Sequence, residues 1–109
     1  MVNYSQRRLD LAFGALAHPI RLGILARLSA GEATVAELAK PFRVSAPAIT
    51  RHMRVLEQAG LLSRKKRGRE HHCRMEQERM KEAEAWIEHH RTFWNERLDA
   101  LEQYLKEHP

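Results

Sequence analysis

Residues 44–62 read VSAPAITRHMRVLEQAGLL, and their spacing decides the fold. Ile49, Met53 and Leu56 recur at intervals of four and three, the repeat of a single helix face. With these three turned inward, Pro47, Thr50, Arg51, Arg54 and Gln58 lie largely on the opposite side, a polar, cationic strip without a carboxylate. Ser45 is a good N-cap, because its hydroxyl accepts from an N–H that the first turn leaves unpaired. Gly60 suits the position just past the C-terminus. A DNA major groove admits one α-helix, whose N-terminal side chains reach base edges. Ala46, Pro47, Thr50 and Arg51 are placed for that role, with His52 and Arg54 as phosphate contacts and Ser45 at the same end of the helix.

Working outward, Thr34-Val35-Ala36-Glu37 has the form of a capping box, and it opens a short helix whose apolar face is Val35, Leu38 and Ala39. Pro41 limits that helix, and Phe42-Arg43-Val44 turns the chain into Ser45. The pair makes a helix-turn-helix over about 35–59. Upstream, Leu9, Ala12, Phe13, Leu16 and Ala17 give a helix over about 5–17, and Pro19 opens a second one that stops near Gly31. Downstream the period shortens. Leu61–Lys66 and Glu70–Met75 read as two strands flanking the tip Arg67-Gly68-Arg69, a wing over about 61–75. Five of the six residues from Arg64 to Arg69 are cations. Arg64, Lys66, Arg67 and Arg69 are the candidate backbone or minor-groove contacts, whose counterion release makes binding salt-dependent. Lysine-rich edge strands also serve simply to discourage aggregation; it is the hairpin's position directly after a cationic helix that favours DNA.

The charge distribution agrees. The net charge of +5 divides into +3 for residues 1–44, +6 for 45–75 and −4 for 76–109. Clustering of this kind is the footprint of a polyanion-binding surface. A length of 109 residues fits one domain. Met1–Arg8 contains no apolar leader core and no apolar run reaches a membrane span, so a cytoplasmic protein without a membrane partner is expected. A single cysteine, Cys73, agrees with a reducing compartment.

From about 77 to 106 the pattern is helical again, with Met80, Ala83, Ile87, Trp94, Leu98, Leu101 and Leu105. Such a helix is about 45 Å long, more than the winged core can cover. Ile87, Trp94, Leu98, Leu101 and Leu105, with Leu9, Phe13 and Leu16 of the first helix, are therefore the expected homodimer interface. A two-fold dimer sets its reading helices roughly 34–36 Å apart and calls for an inverted-repeat operator in double-stranded DNA. The expected class is mainly α with a small β-hairpin (α+β): four helices, a two-stranded wing and a long C-terminal dimerisation helix.

Other chemistry has thinner support. His71-His72-Cys73 contains zinc-ligand types, but alternation on a strand leaves only His71 and Cys73 on one side; the simpler reading buries Cys73 and sets the histidines near phosphates. In His89-His90, the second residue falls between Ile87 and Trp94 and reads as packed; a pH-sensitive seam is the alternative. Trp86, Phe93, Trp94 and Tyr104 read as core or interface before an inducer pocket. No nucleophile elbow, phosphate loop or metalloprotease motif occurs, so no enzyme, metal or cofactor is expected. A metal- or ligand-responsive sensor of the same fold, or a protein-interaction module, are the rival readings.

Four segments carry a family resemblance: LAHPIRLGIL at 16–25, TVAELA at 34–39, VSAPAITRHMRVLEQAGLL at 44–62 and RKKRGREHH at 64–72. Together they resemble the ArsR family of repressors over nearly the whole chain. The resemblance implies a dimeric winged helix-turn-helix that blocks a promoter until an inducer releases it. It departs from the metal-sensing members. Val35–Ala39 offers no Cys-x-Cys pair; in a C-terminal-helix site of the Asp-x-His form, Glu88-x-His90 could pass for the first half, but the second half would fall on Leu101 and Tyr104.

Overall fold

The computed structural model describes residues 4–109; Met1-Val2-Asn3, part of the segment read as lacking a leader core, lies outside them. In chain order the elements are α1 (Tyr4–Leu16), α2 (Pro19–Leu28), β1 (Ala33–Thr34), α3 (Val35–Ala39), α4 (Ala46–Gln58), β2 (Leu62–Arg67), β3 (Glu70–Met75) and α5 (Gln77–Glu107). The α3–turn–α4 unit followed by the β2–β3 hairpin is a winged helix-turn-helix. One element was not expected. β1 joins the hairpin to make a three-stranded antiparallel sheet of order β1-β3-β2, in which Ala33 faces Cys73 and Thr34 faces His72. Two residues have no readable period, so only tertiary pairing reveals this strand.

Local chemistry sets the element ends. Thr34 and Glu37 form both halves of the capping box, with the Glu37 N–H donating to Thr34 Oγ1 at 3.1 Å. Ser45 Oγ accepts from the Ala48 N–H at 3.3 Å and starts α4. His18, which the sequence reading passed over, caps α2 by accepting the Ile20 N–H on Nδ1 at 3.1 Å. Gly23 sits where a Cβ would come within 2.7 Å of the Phe42 ring, so its bare backbone lets α2 approach the α3–α4 turn.

The core gathers Ile24, Leu25 and Leu28 of α2, Leu38 of α3, Ile49, Met53 and Leu56 of α4, then Leu61, Leu62 and Cys73. Each large apolar side chain here contributes about 1.5–3 kcal/mol on burial. That sum is what fixes the rotation of α4 about its own axis. α5 begins on this core through Met80 and packs on α1, where Phe13 meets Trp86 edge-on at 5.4 Å and Arg8 pairs with Glu82 at 3.1 Å. Beyond His90 every residue of α5 is exposed. The molecule is correspondingly long, 67 × 34 × 22 Å, with a radius of gyration of 18.6 Å. A compact chain of this length has about 13 Å. No single helix among the described residues is long and apolar enough to cross a membrane.

Gly60 ends α4 at φ 75°, and a Cβ there would also lie 2.9 Å from Arg79 Cγ. Gly60→Ala is expected to lower stability by about 1–2 kcal/mol, read as a shift of the urea midpoint at fixed protein concentration.

Candidate nucleic-acid interface

Because Ile49, Met53 and Leu56 are 0–1 % exposed, the opposite face of α4 is held toward solvent. There Ala46, Pro47, Thr50, Arg51 and Arg54 line one shallow, mostly apolar depression. Arg51 and Arg54 are exposed and Thr50 is half-buried. Among the described residues, no carboxylate lies within ion-pair distance of Arg51, Arg54, Lys66 or Arg69. A groove with apolar walls joins this end of α4 to the wing, running from Val35, Ala36 and Ala46 to Arg69, Glu70 and His71. α4 and the wing tip therefore lie on one side of the molecule, each contributing arginines to it.

Three candidate residues sit differently from the rest. His52 is half-buried on the flank of α4, turned toward α2. Its ring lies 4.3 Å from that of His18, and Arg21 Nη1 stands 3.3 Å from its Nδ1. A guanidinium only donates, so His52 Nδ1 accepts and its proton resides on Nε2. The same Arg21 donates to the Ala15 and Gly14 carbonyls at 2.7 and 3.4 Å, closing the end of α1. Arg64 is the second. It stands in register with Cys73, on the inner face of the sheet, and its Nη2 lies 3.3 Å from Glu57 Oε1. That oxygen makes no aligned hydrogen bond, so the contact is a charge pair at close range. Arg67, the third, faces Glu32 at 3.8 Å, with both side chains about half exposed. Such a surface pair contributes at most about 1 kcal/mol and yields readily to a phosphate.

The sequence reading missed His18, Arg21, Glu32 and Glu57. Only the last had a signal. A residue directly across from a buried cysteine must share its face, which placed Arg64 inward and next to the end of α4.

The possible metal ligands do not converge. Cys73 is fully buried, and burial pushes its thiol pKa up, against the thiolate a metal needs. His71 is exposed, and His72, on the other face, lies 3.4 Å from Glu70. His90 is half-buried and stacks on Trp86 at 3.9 Å, its Nδ1 2.9 Å from the Trp86 carbonyl. Among the described residues no three His, Cys, Asp or Glu side chains form a metal-sized cluster.

The fold and this face define a DNA-binding transcriptional regulator of the winged helix-turn-helix class. Comparison with known proteins narrows the class. Residues 16–64 match the model of a helix-turn-helix domain family. The crystal structure of the ArsR family transcriptional regulator RHA00566 superposes with a TM-score of 0.78 at 40% identity, covering 87% of this chain and 97% of that one. The transcriptional repressor SdpR of Bacillus subtilis is 33% identical over 60 residues, 55% of this chain and 67% of SdpR. The HTH-type transcriptional regulator Rv2034 of Mycobacterium tuberculosis is 43% identical over 56 residues, which span 51% of this chain and about half (52%) of Rv2034. The chain belongs to the ArsR family.

Burial holds the His52 pKa below the ordinary imidazole value, and the charges of His18, Arg21 and Arg51 act in the same direction. The unfolded chain thus binds this proton more readily than the folded one. The contribution of His52 to stability is complete above about pH 6.5 and is lost as the pH falls through its folded value. His52→Gln, which keeps an acceptor but cannot titrate, is expected to flatten the decline in denaturation midpoint between pH 7 and 5.

Proposed function

We propose that the protein is a cytoplasmic, homodimeric repressor that binds an inverted-repeat operator and acts by occupying the promoter, not by catalysis. Residues 1–109 work as one winged unit, in which α5 is the pairing helix. The observation that carries the reading is the outward strip of α4, whose Arg51 and Arg54 have no carboxylate partner among the described residues while the opposite face is locked in the core.

In this reading Ala46, Pro47, Thr50 and Arg51 face base edges. Ser45 and Arg54 lie at the phosphates, and Lys66, Arg67 and Arg69 follow the backbone or enter the minor groove. His52 and Arg64 take supporting parts, since both are engaged with other side chains. The name of SdpR supports repression as the output.

The dimer rests on α5. Trp94, Leu98, Leu101 and Leu105 are 53–60 % exposed, and Ile87 is 43 % exposed, on a helix that overhangs its own core. A second copy would cover this stripe together with the half-buried Leu9, Phe13 and Leu16. The acidic C-terminal third then points away from the nucleic acid.

Selection of bound duplexes from a random pool tests the proposal. The expected product is an inverted repeat with half-sites about one helical turn apart; enrichment of unpaired half-sites, or of nothing, contradicts it. On the selected site Arg51→Ala should cost about 1–3 kcal/mol and relax the preference at one position in each half-site. Replacing Arg67 and Arg69 by glutamine should weaken binding to all sequences and flatten the salt dependence.

A further inference from the structure

The depression on α4 says which bases the helix reads, on the understanding that α4 enters the major groove as proposed above. Two rim positions are arginines, but the surface between them is mostly apolar and comes from Ala46, Pro47 and the half-buried Thr50. Neither Ala46 nor Pro47 has a side-chain hydrogen-bond donor or acceptor, so neither can read a polar base edge. The backbone adds at most the Ala46 N–H at the start of α4. Ser45 takes up the Ala48 N–H, and Pro47 has none.

Of the groups exposed in the major groove, the 5-methyl of thymine is the one alkyl group, and contact with Ala or with a Thr methyl is its usual complement. Arg51 on the rim has the planar fork that grips guanine O6 and N7. Arg54, the other rim charge, suits a phosphate beside such a step, and among the described residues no carboxylate lines the depression.

We infer that the depression formed by Ala46, Pro47 and Thr50 is a thymine-methyl pocket, and that the half-site contains a thymine next to the base pair read by Arg51. Thr50 is the specificity residue of this contact through its methyl group.

Uracil substitution tests this, because deoxyuridine keeps every hydrogen-bonding group of thymidine and lacks only the methyl. Starting from the selected duplex, each half-site thymine is replaced in turn, symmetrically in both half-sites, and the affinity is measured. One position should lose about fourfold per half-site, about fifteenfold for the symmetric pair, while the others stay level. At that position Thr50→Ser, which removes the side-chain methyl and keeps the hydroxyl, should narrow the gap between the thymine and uracil duplexes. A site bound equally well with uracil at every position overturns the inference and leaves the repressor reading intact, as does a half-site without thymine. An unchanged thymine preference in Thr50→Ser would overturn the assignment to this pocket. Failure to enrich any duplex would remove both readings together.

Discussion

The burial of Ile49, Met53 and Leu56 against α2, α3 and the root of the sheet is the constraint from which the rest follows. These side chains retain at most 1 % of their exposure. Rotating α4 by half a turn would expose all three and carry Arg51 and Arg54 into a core that, among the described residues, is lined by apolar side chains. Both changes are unfavourable by several kcal/mol, so the helix has a single seating. The direction of its cationic face is a consequence of hydrophobic packing, set before any nucleic acid is present.

The remaining elements refine that seating. Arg21 ties the end of α1 to the flank of α4 through the Ala15 and Gly14 carbonyls and His52, so α4 is braced from the side as well as from below. β1 anchors the hairpin to the start of α3, which places the wing beside the N-terminus of α4. The pair Arg64–Glu57 closes the inner edge of the wing against the end of the same helix. Function on this account comes from presentation: a rigid helix and a cationic loop held in one surface. α5 supplies the complementary feature, an apolar stripe that its own chain leaves in water.

The parts of the fold legible in the sequence were those with a period or a cap. α4 declared itself through the 49, 53, 56 spacing and Ser45; α3 through the Thr34–Glu37 box; the hairpin through the glycine between Arg67 and Arg69. The two-residue strand β1 could not be read, because its identity lies in its partner, β3. The candidate site divides in the same way. Positions that project from a regular element, such as Thr50, Arg51 and Arg54, followed from helical geometry. His52 and Arg64 look like ordinary members of the cationic face in one dimension, yet each is drawn aside by a residue 31 or 7 positions away, Arg21 and Glu57. Charge composition fixes how many cations a segment carries; tertiary partners decide which of them remain available.

The central claim, two copies of α4 presented in fixed register by a paired α5, is tested most directly by changing the helical phase of the operator. Five base pairs inserted between the half-sites rotate one by about half a turn relative to the other while leaving every base contact intact. Measured by sedimentation with labelled duplex, the account predicts two chains on the parent operator and loss of the tight complex on the five-pair insertion. Unchanged affinity on the out-of-phase duplex would contradict it, because the two helices would then not be held by a common scaffold.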